Sequence, residues 1–168
     1  MYMQSYYAGK AKQGKDDYET PRWCWEMILG LINNKHRKIW LPFYCKGLAG
    51  EIVTGLGQPC IHEQRDFFLW QPDEYDCIVD NPPYSIKQKV FEKCIELGKP
   101  FALYVPLDTL ERTYISRLMN SPYLQIVIPY HRTDFITDYE VKHTCPPHKT
   151  IWICWKMKLC DGRQIIFA

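Results

Sequence analysis

With 168 residues, the chain is long enough for one domain with a real hydrophobic core. Hydrophobic residues make up 46% of it and aromatic ones 15%, a balance that excludes a disordered chain. The formal charge of +2 excludes the strongly basic character that announces a nucleic-acid partner by charge alone. No apolar stretch approaches membrane-spanning length, and Met1-Tyr2-Met3-Gln4-Ser5 lacks the charged-then-apolar form of a signal peptide. The eight cysteines include no Cys-x-x-Cys pair. They are expected to be reduced thiols in a cytoplasmic or other reducing compartment.

In chain order, residues 1–20 are polar and aromatic without periodicity, and Thr20-Pro21 has the form of an N-cap followed by proline at the first helical position. Trp25, Ile28, Leu29 and Ile32 recur at helical spacing, predicting a helix over 21–33. A strand is expected at 38–43, a short helix at 47–55 and a brief second strand at 59–62. The apolar run 75–79 predicts a further strand, and 87–97 a helix stopped by Gly98-Lys99-Pro100. Next come a strand at 101–105, a helix at 110–119 and a strand at 124–128. Finally 150–159 and 164–167 flank Asp161-Gly162, a hairpin signal. Strands alternating with helices imply a single α/β domain with a mostly parallel twisted sheet and an antiparallel C-terminal hairpin.

The segment Asp80-Asn81-Pro82-Pro83-Tyr84 directly follows the apolar run 75–79. Two prolines remove two backbone donors and fix two φ angles, so the chain leaves the strand as a stiff loop with outward carbonyls. Asn81 offers an amide oxygen, Pro82 a carbonyl and Tyr84 an aromatic face. Together they suit a planar group bearing an exocyclic NH2. At this motif the sequence resembles the amino-methyltransferases that use S-adenosylmethionine, whose signature is Asn/Asp-Pro-Pro-Tyr/Phe after a strand. The resemblance implies that Asn81, Pro82, Pro83 and Tyr84 are catalytic. Asn81 and Pro82 would accept from the target amine and turn its lone pair toward the methyl group, while Tyr84 stacks on a flipped-out base.

The resemblance extends from about residue 17 to residue 158 and implies a Rossmann-like methyltransferase fold binding S-adenosylmethionine and releasing S-adenosylhomocysteine. Tyr18-Glu19-Thr20-Pro21 resembles the family's Thr-Pro element, which places Tyr18, Thr20 and Pro21 near the methionine end of the cofactor. The stretch from Pro42 to Gly50 stands where the family has Phe-x-Gly-x-Gly. Phe43 and Gly47 match, and Cys45 replaces the first glycine. Asp66-Phe67-Phe68 sits at the family's interval before the catalytic strand, implying that Asp66 accepts from the cofactor adenine amine and Phe67 packs on its ring. Glu63 is the acidic residue nearest the end of strand two, where the ribose is held, and Asn81 also borders the cofactor. Glu63 lies three residues before Asp66, which leaves no room for the usual helix and third strand. The sheet is therefore expected to be contracted there.

Residues 141–160 carry Lys142, Lys149, Lys156, Lys158 and two histidines with no acid, which describes either a phosphate-facing surface or a solvated edge strand. Arg132, after the 124–128 strand, joins Lys142 and Lys149 as a candidate nucleic-acid contact. His143, Cys145 and His148 have soft ligands at close spacing, but two prolines and the lack of a fourth ligand favour a polar loop over a metal site. Asp108 and Glu111 read as N-terminal acids of a helix. The expected activity is methyl transfer to N6 of adenine in DNA. The alternatives are RNA adenine, a glutamine amide, or a non-catalytic subunit that kept the fold. No separate target-recognition domain fits in the chain, an economy that resembles small phage and viral methyltransferases. Specificity is then short, or supplied by a homodimer or partner subunit.

Overall fold

The computed structural model describes residues 18–136 and 148–168. The elements in chain order are α1 (Arg22–Leu31), β1 (Ile39–Trp40), α2 (Leu48–Gly55), β2 (Cys60–Ile61), β3 (Cys77–Asp80), α3 (Lys87–Leu97), β4 (Phe101–Pro106), α4 (Ser116–Met119), β5 (Leu124–Ile128), β6 (Thr150–Trp155) and β7 (Ile165–Phe167). The strands form one sheet in the order β2-β1-β3-β4-β6-β5-β7. Among the described strands only β6 runs against the others. This is an α/β chain with a mostly parallel mixed sheet, compatible with a Rossmann-like doubly wound arrangement.

The apolar runs explain the layering. β3 and β4 are buried at every position, as strands covered on both faces must be. On one face Ile39, Val79, Ala102, Tyr104 and Trp152 pack with Trp25 and Ile28 of α1 and Val53 of α2. On the other, Ile78, Phe101, Leu103 and Ile153 pack with Val90, Phe91 and Cys94 of α3 and Leu118 of α4. α2 follows β1 toward β2 on the first face, while α3 leads from β3 to β4 on the second. Connections therefore diverge between β1 and β3, and the crevice outside their carboxyl ends is the place where such sheets bind ligands. No helix among the described residues is long and apolar enough to cross a membrane.

Several elements depart from expectation. β1 is cut to two residues, because Pro42 has no N–H for the ladder, although Leu41 N still donates to Ile61 O at 2.9 Å. α1 starts at Arg22 with Pro21 in the cap position and no side-chain cap. Thr20 is instead buried, and its carbonyl accepts from Trp25 Nε1 at 3.3 Å. The helix expected at 110–119 breaks into 3-10 turns at Leu107–Glu111 and Thr113–Ile115 followed by the short α4, since Arg112 is extended at φ −83, ψ 137. The C-terminal hairpin is not formed. Gly162 does turn, with φ 74, but β6 and β7 do not pair and β5 lies between them. Nearly all of β6 is buried, so burial draws it into the sheet between β4 and β5, leaving β7 the outer edge of β5. The contraction after β2 is present: residues 62–76 contain no strand and no helix. α3 matches 87–97, and Gly98 ends it in the left-handed conformation at φ 68.

Candidate functional site

The site begins with Asp80, the last residue of β3, which is 2% exposed. Its Oδ2 accepts from Phe43 N at 2.7 Å and its Oδ1 from Asn81 N at 2.8 Å. One carboxylate thus fastens the loop after β1 to the Pro-Pro loop after β3, across the point where the connections diverge. Burial pushes its carboxyl well above the ordinary range, the two N–H donors oppose that rise, and the charge of Glu19 adds to it.

Beyond Asp80 the loop presents acceptors. Asn81 Oδ1 is buried without a hydrogen-bond partner among the described residues. No backbone N–H of the described residues donates to the Pro82 carbonyl, whereas the Pro83 carbonyl accepts from Ile86 N at 3.2 Å. Pro83 is at φ −56, and the chain then enters a single 3-10 turn at Tyr84–Ile86. Tyr84 meets Phe135 edge-on, with ring centroids 6.4 Å apart and planes at 80°. Phe135 also contacts Tyr18, at 6.0 Å, and Tyr104.

The loop after β1 keeps a glycine-like path despite its cysteine. Cys45 sits at φ 44, the left-handed region, and Gly47 at φ 91. The conformation is retained at Cys45 at a cost of about 1 kcal/mol. Glu19, buried at 8% exposure, accepts at Oε1 from Lys46 N at 2.9 Å. Its backbone forms an antiparallel bridge with Ile136, both N–H···O distances being 3.0 Å. The Tyr18-to-Pro21 element, the β1 loop and the segment after β5 are thereby joined at one residue.

After β2, His62 lies stacked on Tyr44 with centroids 4.8 Å apart. Its Nδ1 donates to the Leu41 carbonyl at 2.9 Å, because a carbonyl can only accept, and burial lowers the imidazole pKa. Gly50 in α2 makes room for this ring: a Cβ there would lie 2.5 Å from His62 Cδ2 and 2.9 Å from its Cβ. We therefore expect Gly50→Ala to destabilise the fold by about 1–3 kcal/mol, read from the urea midpoint. Unchanged stability would mean that His62 is not held where it stands.

Asp66 follows in a turn. Its Oδ1 caps Phe68 N at 2.7 Å, and its Oδ2 is buried without a partner among the described residues. Phe67 is 1% exposed and packed against Trp40 and Phe43, so it is a core ring. The half-buried Phe68 beside it is the ring left nearer the surface. Glu63 is exposed and pairs with Arg65 at 3.5 Å, away from any buried partner.

The structure thus gathers Thr20, Pro21, Phe43, Gly47, Asn81, Pro82, Pro83 and Tyr84 around the β1 and β3 ends, with Tyr18 joined through Phe135. Asp66 lies in the turn that begins five residues beyond β2. Arg132 is exposed on the segment after β5. Lys149 precedes β6 at the same end of the sheet, its carbonyl accepting from Leu107 N at 2.7 Å. Lys142, His143 and Cys145 lie outside the described residues, and His148 is exposed. The sequence reading missed Glu19, His62, Phe68 and Phe135. Glu19 stands inside the Tyr18-to-Pro21 element, so only its burial was hidden; His62, Phe68 and Phe135 carry no spacing signal. No family model matches this chain, and no curated protein compared with it matches it either.

Proposed function

We propose that the protein is an α/β methyltransferase that transfers a methyl group from S-adenosylmethionine to an exocyclic amine, N6 of adenine in DNA. The observation that carries the reading is Asn81 Oδ1, buried without a partner among the described residues, beside a Pro82 carbonyl to which no described backbone N–H donates, on a loop that Asp80 fastens to the β1 loop. An amine conjugated to a ring is a poor nucleophile. Two acceptors on its hydrogens localise the lone pair, and a fixed loop aims it. Tyr84, set edge-on by Phe135, supplies the stacking face for the base.

The residues present fit the cofactor. Asp66 Oδ2 is a buried acceptor for an adenine amine, Phe68 a ring beside it, and the left-handed path at Cys45 and Gly47 lets the backbone come close. The cofactor supplies an electrophilic methyl group, so no strong base is required of the protein. Arg132 and Lys149, at the same end of the sheet, are the residues that would meet phosphates, in sequence-independent contacts.

The decisive experiment incubates the protein with isotopically labelled S-adenosylmethionine and adenine-containing DNA, RNA or glutamine-bearing peptides. Digestion and mass spectrometry then identify the methylated product. Labelled N6-methyladenine from DNA is expected. Label in RNA or in peptide moves the acceptor while keeping the chemistry, and no label in any of them rejects the reading. For the cofactor, Asp66→Ala should weaken binding by tenfold or more, roughly 1.5–3 kcal/mol for a lost charged acceptor, in calorimetric titration of the folded variant. Unchanged affinity would place the adenine elsewhere.

A further inference from the structure

β7 leaves one side of its backbone open. Ile126 N donates to the Gln164 carbonyl at 2.7 Å and Ala168 N to the Ile128 carbonyl at 3.1 Å, in a parallel register that pairs Ile128 with Phe167. Alternate residues of such a ladder turn to alternate sides, so Gln164, Ile166 and Ala168 face β5 while the N–H and C=O groups of Ile165 and Phe167 face outward. None of those outward groups has a hydrogen-bond partner among the described residues. The same two residues are 53% and 54% exposed. Their side chains lie on the face where α3 and α4 pack, since their β5 neighbours Ile126 and Ile128 belong with that core. Tyr130, 69% exposed, extends the patch, its ring stacked on Phe167 with centroids 6.5 Å apart and planes at 28°. Sheet edges are ordinarily guarded by charged residues, proline or a bulge. Ile165-Ile166-Phe167 has none of these, and its shortness is its one guard.

We propose that this edge is the interface between two copies of the chain, joined β7 to β7 in antiparallel. What selects a second copy is self-complementarity. A two-fold axis perpendicular to the sheet beside Ile166 sets Ile165 opposite Phe167 of the partner subunit, and Phe167 opposite the partner's Ile165. Both residues of each pair already aim their N–H and C=O groups outward, as hydrogen-bonded antiparallel pairs require, so every open group is satisfied at once. No other register satisfies them all. A shift by one residue sets outward groups against the Ile166 groups that already face β5. The same operation keeps the exposed side chains on one face, where Ile165 meets the partner's Phe167. Three residues more than half exposed per copy, with a short backbone edge, put the buried surface at roughly 1,000 Å² in total, the low end for specific association. The dimer is therefore weak and concentration-dependent. Because the copies run antiparallel, their candidate sites lie at opposite ends of the joined sheet, and the proposal stands apart from the methyltransferase reading.

Sedimentation equilibrium of the whole protein should show monomer and dimer in exchange, with a midpoint between about 10 μM and 1 mM. Ile165→Pro deletes an N–H that faces away from β5, and Phe167→Lys places a charge on the exposed patch, so both variants should keep the wild-type urea midpoint. Each should weaken dimerisation about tenfold or more. Amide hydrogen exchange of the wild type needs no variant. The Ile165 and Phe167 amides should exchange freely in dilute protein and become protected as concentration rises, while Ile166, turned to β5, is protected throughout. A wild type that is monomeric at about 1 mM overturns the proposal, and so does a dimer that survives both substitutions. Protection of Ile165 and Phe167 already present in dilute protein also overturns it, because another part of the same chain would then cover the edge. Protection gained only on adding an oligonucleotide overturns it in favour of nucleic acid.

Discussion

Asn81→Ala should slow methyl transfer by about 10²–10³-fold while leaving S-adenosylmethionine affinity nearly unchanged. The amide oxygen it removes is buried and unpartnered among the described residues, so the fold loses no hydrogen bond of its own. What is lost is an oriented acceptor whose value grows as the target nitrogen develops positive charge. Single-turnover methylation of an adenine-containing oligonucleotide separates this rate from binding. A rate within a few-fold of wild type, in a variant that still binds cofactor, would remove Asn81 from the chemistry.

Asp80→Asn is expected to be the most damaging single isostere in the chain. The two oxygens of Asp80 meet two N–H donors, from Phe43 and Asn81. An asparagine offers one oxygen, and its NH2 would face the second donor at close range. Leaving a buried N–H unsatisfied costs about 1–3 kcal/mol, so Asn and Ala variants should be similarly unstable to urea. An Asn variant within about 0.5 kcal/mol of wild type would show that the bridge does not hold the loops. The sign of the pH effect follows from the same burial. The folded-state pKa of Asp80 lies above its ordinary 3.8, so between the two values the folded protein holds a proton that the unfolded chain has released. The stability this group contributes is present below 3.8 and is lost as pH rises through the folded value. Asp80→Ala should lack that slope.

Local chemistry carried most of the legible part of this molecule. Pro82 and Pro83 exclude both strand and helix, so the loop after β3 could be read from residues alone, and the three-residue gap between Glu63 and Asp66 foretold the missing strand. The Gly98 stop of α3 is likewise a local matter. The errors came where tertiary burial outweighed local signal. Asp161-Gly162 has the composition of a hairpin turn, yet 150–155 is apolar at almost every position, and full burial places it inside the sheet rather than beside 165–167. Thr20 has the form of a cap, yet its carbonyl is drawn to the Trp25 indole. In the site, an aspartate in a turn such as Asp66 is marked by its neighbours, whereas His62 is placed by the space that Gly50 leaves, a relation between an α2 residue and the residue just after β2 that no spacing rule contains. Phe67 shows the same limit: its identity suited a ligand-packing ring, but Trp40 and Phe43 claim it for the core.

The position of β6 bears on how the chain acquires this shape during synthesis. β4 and β5 do not touch as a pair; β6 stands between them, matched to six residues of β4 and four of β5. Until residues 150–155 have left the ribosome, a nascent chain that has already made β4 and β5 carries two unpaired, strongly apolar strand edges, and closing them requires contacts spanning some fifty residues, Leu103 to Ile153. Residues 150–155, made after both of these strands, are the wedge that completes the centre of the sheet. A chain stopped before residue 150 would therefore leave the sheet unfinished at its centre and prone to aggregate, although the loops after β1, β2 and β3 would already have been made.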